Sequence, residues 1–302
     1  MAQRILYFLT PGNNISPFDV TIASDAGFDL VVPITDVAPK SVVGMVQDAI
    51  FARPPNRFND TGIFIGGRDV HLAADMFTSA KKAMVGDFQV GVFADPNGAY
   101  TTSASIVALV QKGLEDHGSQ GLAGRVVSVF GTGPVGLCTA VLAAKQGAKT
   151  RLCQLTADDD PQVAERFCER YECQVDWVSA ETYNSKIEVL ADTEVAISAA
   201  RAGIRILNVA ELEHANKLAI VADTNAVPPS GIDGVGLQDK GAVLEFPCGS
   251  VKSFGPLAIG NLKYKVQFGL YERIHTSNAA ALIDFPDAFE YALSLVHNKS
   301  AL

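Results

Sequence analysis

The chain has 302 residues, 48% hydrophobic and 19% charged, which places it among folded α/β proteins with room for two domains and excludes a disordered or fibrous chain. Its formal net charge of −9 opposes a general role on polyanions, so no nucleic-acid partner is expected. No apolar stretch reaches the roughly 20 residues of a membrane helix, and the opening MAQRILYFLTPG reads as a first strand rather than a secretory signal, so a cytoplasmic protein without a membrane partner is expected.

In the first half, ILYFLT (5–10), DLVVPI (29–34), TGIFIGG (61–67) and QVGVFADP (89–96) are short β-rich runs. Stretches with helical spacing, such as KSVVGMVQDAIFA and VHLAADMFTSAKKAM, separate them. Alternation of this type builds parallel sheets from βαβ units and predicts a first α/β domain over residues 1–100. From Thr101, TTSASIVALVQKGLEDHG has an apolar face and reads as the helix that crosses into a second domain. A short polar break, 118–124, follows it.

RVVSVF, GTGPVG and LCTAVLAAKQGA, residues 125–148, then give an apolar strand, a glycine turn and a helix. Gly131 permits the tight turn, Gly133 lets the backbone approach a pyrophosphate and Gly136 brings helix and sheet together, with Thr132, Pro134 and Val135 completing the turn. A nicotinamide dinucleotide is the expected ligand, its pyrophosphate on the helix N-terminus. TRLCQL, QVDWVS, EVAISAA and KLAIVADTN continue a Rossmann-type, doubly wound parallel sheet over residues 101–269. Their strand ends put Ala199, Asp223 and Asn225 beside the cofactor. LKYKVQFGLYERI and DAFEYALSLVHN are helical by periodicity, and the segment from about 270 to 302 is expected to pack back onto the first domain. The cleft between two such domains is the natural active site.

The adenosine ribose is read at the end of the second strand, where a carboxylate selects NAD and an arginine accommodates NADP. Here that end is Cys153, Gln154, Leu155 and Thr156, with neither signal. Asp158, Asp159 and Asp160 come late and read as a helix start before Pro161. Arg151 lies inside the strand, and Arg166 and Arg170 sit on the following helix. Gln154 and Thr156 can bond a ribose without repelling a phosphate, which favours NAD with NADP tolerated. The five cysteines lack paired CxxC spacing and read as packing thiols, while His71, His117, His214, His275 and His297 are scattered, so no metal site is expected.

Substrate chemistry belongs in the polar stretches at strand ends. Asp95, Asn97, Gly98, Thr101 and Thr102 combine turn chemistry with a helix start, explained equally by a capped turn and by a capped turn that also faces a substrate. Asp19, in SPFD, stands where an ordinary first-turn helix acid would. Lys263 and Lys265 alternate on an otherwise apolar, glycine-rich segment, either as a solvated face or as a pair holding an anion.

PFDV with Asp19, TGIFIGGRD, DPNGAYTTSA, GTGPVG, VADTNAVPPSGIDG and FGPLAIGNLKYKV, in this order, give the chain its likeness. It resembles the methylene-tetrahydromethanopterin dehydrogenases of methylotrophic bacteria, a family close to the methylene-tetrahydrofolate dehydrogenases. The resemblance implies an N-terminal pterin-binding domain, a nicotinamide-binding domain and a homo-oligomer, with tetrahydromethanopterin as co-substrate in formaldehyde oxidation. Strictly NADP-dependent relatives carry an Arg-Lys pair where this chain has Leu155 and Thr156, which again favours NAD. Hydride leaves the bridging carbon and no proton moves, so positioning and charge stabilisation are the tasks left to the protein. Asp19, Asp95 and Lys263 are the candidate catalytic residues, and Asn97, Thr101, Thr102 and Lys265 the candidate substrate contacts. Arg53, Arg57, Arg68, Lys81 and Lys82 are candidates for the pterin's anionic tail. Three other readings stay open: the same transfer on methylene-tetrahydrofolate, a shikimate- or amino-acid-type dehydrogenase, and a non-catalytic NAD-binding redox sensor.

Overall fold

The computed structural model describes residues 3–116, 118–157 and 159–298. His117, Asp158 and residues 299–302 of the expected C-terminal segment lie outside the described residues. In chain order the elements are β1 (Ile5–Leu9), α1 (Pro17–Asp25), β2 (Leu30–Ile34), α2 (Val42–Phe51), β3 (Thr61–Ile65), α3 (Val70–Lys82), β4 (Gly91–Ala94) and α4 (Ala99–Glu115). They continue with β5 (Val126–Phe130), α5 (Pro134–Lys145), β6 (Lys149–Gln154), α6 (Pro161–Arg170), β7 (Asp176–Ser179), α7 (Tyr183–Leu190), β8 (Val195–Ser198), α8 (Val209–Leu212) and β9 (Ile220–Asp223). The last are β10 (Lys240–Phe246), β11 (Gly249–Phe254), α9 (Pro256–Thr276), β12 (Leu282–Ile283) and α10 (Phe285–His297).

The chain forms two units. Among the described residues one comprises 3–101 with 263–291, the other 102–262 with 292–298. Where the sequence pattern set a boundary near 269, the chain changes unit between Leu262 and Lys263, inside the continuous 21-residue helix α9.

The first unit holds a five-stranded sheet of order β12-β4-β3-β1-β2, with every paired strand parallel. Its chain order reverses between β1 and β3. Helix α9 lies on this sheet by a stripe spaced three and four residues apart. Ile274 fits over two glycines, since a methyl group would fall 2.6 Å from its Cγ2 at Gly91 and 2.9 Å at Gly62. Three residues earlier, Tyr271 packs among Phe64 and Phe93, with ring centroids 5.2 and 5.3 Å away. Aromatic pairs at such distances add about 0.5–1.5 kcal/mol each beyond area burial. One and two turns further back come Gln267 and Lys263. The helix is thus anchored by its apolar end, and its polar end is left at the carboxyl ends of the strands.

The second unit holds a seven-stranded sheet of order β10-β11-β9-β8-β5-β6-β7. All its pairs are parallel except the antiparallel β10–β11 hairpin. The order reverses between β5 and β8, which is the doubly wound arrangement. Its core includes Phe130, Cys153, Ala196, Leu207, Leu212, Val221, Ile232 and Val251. The hairpin and the two-residue β12 were not foreseen. In AVLEF and SVKSF the apolar alternation is partial, since Leu244 and Phe246 pack on the core but an outward position is held by apolar Val243.

Candidate active site

A cavity of about 300 Å³ lies at the strand ends of the first unit, beside the β1/β3 reversal where open parallel sheets take ligands. Asn14 and Ser16 line it from the β1–α1 connection, Asp19 from the first turn of α1, Gly67 and Arg68 from the loop after β3, and Asn97 from the loop after β4.

Ser16 caps α1 and Pro17 takes its first position, so the chain enters the helix with the Asp19 N–H donating to Ser16 Oγ at 3.4 Å. Asp19 would ordinarily be a solvated first-turn acid. Instead it is 4% exposed, and its Oδ1 accepts a hydrogen bond from Gln267 Nε2 at 2.7 Å. Lys263 is 8% exposed; its Nζ stands 3.8 Å from the centroid of the Phe18 ring and donates to Gln267 Oε1. Asp95, fully buried, accepts from the Tyr100 N–H at 2.9 Å and the Thr101 N–H at 3.2 Å through Oδ1. Its Oδ2 accepts from Thr101 Oγ1 at 2.6 Å. The capped-turn reading of this loop therefore holds, and the capping carboxylate is also part of a buried charge cluster. Asn97 adopts φ +53°, a left-handed conformation that asparagine tolerates, and it is exposed at the cavity.

Burial dominates the electrostatics. It raises the Asp19 pKa, against the lowering effects of the Gln267 bond and Lys263. It pushes Asp95 up to about 6, with Lys263 pulling down and Asp19 pushing up. It lowers Lys263, which both carboxylates pull back up. With all three ionised, this buried group of two carboxylates and one ammonium carries a net charge of −1, while Arg68, the cation on the cavity lining, is exposed to solvent. Such a site favours a cation forming in the cavity.

The remaining substrate candidates fare differently. Thr101 is occupied with Asp95. Thr102 is half-buried on α4 and belongs to the other unit. Lys265 is exposed, and because α9 is helical here it points about 200° away from Lys263, so the two do not form a pair. Arg53 and Arg57 are paired with Asp60, and Lys81 lies over Phe77. Of the basic residues weighed for an anionic tail, Arg68 is the one that lines the cavity. Gln267 and Tyr271 were missed. Their signal was present in the four-residue spacing from Lys263.

In the second unit the glycine turn sits at the β5/β8 reversal. Gly131 has φ +116°, and a methyl group there would fall 2.8 Å from the Ala199 carbonyl oxygen. One at Gly136 would fall 1.8 Å from the Gly131 oxygen. Gly133, by contrast, is exposed with open space on its Cβ side, and it caps α5 without any side-chain hydrogen bond. In the first turn of α5 Pro134 has no N–H and the Leu137 N–H donates to Gly133 O at 2.9 Å, which leaves the Val135 and Gly136 N–H groups for a ligand, while Thr132, Pro134 and Val135 are half-buried around them. This cradle fits a dinucleotide pyrophosphate.

At the end of β6, Gln154 donates to the Thr156 carbonyl at 2.7 Å and accepts from Trp177 Nε1 at 3.0 Å, and Thr156 is exposed. Asp160 caps α6. The Ala199 N–H donates to Phe130 O at 2.9 Å. Asp223 and Asn225, expected beside the cofactor, turn their polar atoms to the backbone of the loop after β9 and, at Gly203, of the loop after β8. Asp223 accepts from the N–H groups of Asn225, Gly231 and Ile232, and Asn225 bonds Gly203, Val227 and Pro229. They shape the loop after β9, because a buried carboxylate at a strand end must find donors and the following glycine-rich turn supplies them. Among the described residues, no three His, Cys, Asp or Glu side chains gather as metal ligands, and no helix is long and apolar enough to cross a membrane.

Residues 17–97 match the family model described as methylene-tetrahydromethanopterin dehydrogenase, N-terminal. Over 298 residues, 98% of this chain and 99% of the other, the chain is 39% identical to a Methylorubrum extorquens strain AM1 protein described as NAD(P)-dependent methylenetetrahydromethanopterin dehydrogenase. It is 32% identical over 280 residues, 92% and 94% of the two chains, to the same organism's "Bifunctional protein MdtA". Among solved structures it is similar to shikimate 5-dehydrogenase from Listeria monocytogenes in complex with shikimate and NAD, with TM-score 0.51, 14% identity and coverage of 97% and 96%. That last likeness concerns the fold.

Proposed function

The chain belongs to the family of NAD(P)-dependent methylenetetrahydromethanopterin dehydrogenases, and we propose that its two strand-end sites divide that family's reaction between them. The reaction is oxidation of 5,10-methylene-tetrahydromethanopterin to the 5,10-methenyl cation, with hydride passing to NAD(P)+. When bound, the nucleotide supplies the hydride-accepting ring. Gly131, Gly133 and Gly136 with the N-terminus of α5 would hold its pyrophosphate, and exposed Thr156 would meet the adenosine ribose. The lack of an arginine or lysine among Gln154, Leu155 and Thr156 to receive a 2′-phosphate supports NAD as the preferred form.

The observation that carries the pterin assignment is the buried group of Asp19, Gln267 and Lys263 beside the cavity. Asp19 is the carboxylate that opposes the positive charge gained by the substrate, and Asn97 and Arg68 contact the pterin from the other two loops. Asp95 does not line the cavity, so it acts through Lys263 and the local field. Lys263, held by Gln267 and Phe18, likewise stands behind the lining and acts through the charge it sets against Asp19 and Asp95. Since hydride leaves without a proton, none of these groups needs to act as an acid or base.

A homo-oligomer in a reducing cytoplasm completes the proposal. The five cysteines, none of them in a disulfide, support the reducing compartment, and Val243, 62% exposed on edge strand β10, supports self-association. Substrate dideuterated at the bridging carbon tests the chemistry. Deuterium should appear on the reduced nicotinamide with a primary isotope effect on single-turnover transfer; reduced nucleotide free of deuterium would contradict the assignment.

A further inference from the structure

Around the cavity one buried side chain touches both Asp19 and Lys263. Gln267, fully buried, accepts from Lys263 Nζ at Oε1 and donates from Nε2 to Asp19 Oδ1 at 2.7 Å. A primary amide has one accepting and one donating end. Reversed, it would set N–H against an ammonium and oxygen against a carboxylate, so its charged neighbours allow a single orientation. The backbone beneath it is equally fixed, because Tyr271 and Ile274 lock α9 onto the sheet four and seven residues further on. We propose that Gln267 is a positioning residue whose amide, held end to end between the Lys263 ammonium and the Asp19 carboxylate, sets where the Asp19 oxygens stand in the cavity. This rests on the reading of Asp19 as the carboxylate that opposes the forming cation.

The groups facing Asp19 give the proposal a measurable signature. From the N-cap of α1 this is the Ser16 hydroxyl, from α9 Lys263, Gln267 and the Tyr271 hydroxyl, from the β4–α4 loop Asp95, and from the loop after β3 Arg68. Among the hydrogen bonds and charges that favour ionised Asp19, the Gln267 bond is the largest contributor. Removing that donor leaves burial less opposed, so the carboxyl titrates higher.

Gln267→Met and Gln267→Glu keep the side-chain length and change only the head group. In Gln267→Met the acid limb of the pH profile of kcat/KM for the pterin should move up by about one pH unit. Activity should recover as pH rises, with KM for nucleotide unchanged. Gln267→Glu sets a second carboxylate against Asp19 and should move the limb further. In parallel, Asp19 is titrated by NMR in protein labelled with carboxyl-¹³C aspartate and assigned with Asp19→Asn. The same upward displacement, Met then Glu, is expected without any substrate. Unmoved titration in both variants overturns the proposal, whether activity is retained or lost uniformly across pH. Wild-type protein that transfers no hydride would instead refute the functional reading, while the NMR titration still decides the role of Gln267.

Discussion

Replacing Asp95 with asparagine should make the protein more stable and less active at once. Burial lifts the Asp95 carboxyl from 3.8 to about 6, a difference of 6 − 3.8 = 2.2 pH units. At about 1.36 kcal/mol per unit, holding Asp95 ionised costs the folded state about 3 kcal/mol near pH 8. The folded protein binds this proton more tightly than the unfolded chain does. The cost is therefore absent below 3.8, builds as pH rises towards 6, and is complete above it. Asparagine preserves the local bonds, because its oxygen can accept from the Tyr100 and Thr101 N–H groups while its nitrogen donates to Thr101 Oγ1. Thermal unfolding near pH 8 should then shift upward by about 6 °C, at about 2 °C per kcal/mol for a chain of this size. The gain should fade on acidification to about pH 4. Turnover should drop about tenfold or more, since the cluster loses the negative charge that favours the cation. Calorimetry across that pH range, beside steady-state rates, checks both halves. A variant that melts lower near pH 8, or whose gain is the same at both ends of the range, would refute the electrostatic reasoning.

Asp19→Asn should lower kcat about 100-fold while leaving nucleotide affinity, measured by fluorescence titration, unchanged. Gly133→Ala places a methyl group in open space, so the variant should fold with an unaltered melting temperature. Its dissociation constant for NAD, read by calorimetry, should nevertheless rise about tenfold or more, because that space is where the pyrophosphate approaches. Thr156→Asp puts a carboxylate at the exposed end of β6 and should cut kcat/KM for NADP at least about tenfold more than that for NAD, as measured with the two nucleotides in parallel.

The two sheets were legible because apolar β-rich runs alternate with helical spacing, and the glycine turn announced the nucleotide end through the order strand, glycines, helix. Asp19, Asp95 and Lys263 were legible only as separate loop or helix residues. What brings them together is the way α9 crosses the first sheet over Gly62 and Gly91, a fit of shapes that no local pattern states. Lys265 shows the converse: two lysines two residues apart look paired until the backbone is known to be helical. Asp223 and Asn225 illustrate a third limit. Polar residues at a strand end satisfy a ligand or their own loop equally well in sequence, and only the positions of the neighbouring N–H groups decide. Gln267 stayed hidden because a glutamine on a buried helix face gains its meaning from the charges at its two ends.

Rates of nucleotide reduction, followed by absorbance with methylene-tetrahydromethanopterin and methylene-tetrahydrofolate each crossed with NAD and NADP, bear most directly on the whole account. The highest specificity constant should belong to methylene-tetrahydromethanopterin with NAD, NADP being accepted. Nucleotide binding with no reduction in any of the four combinations would contradict it.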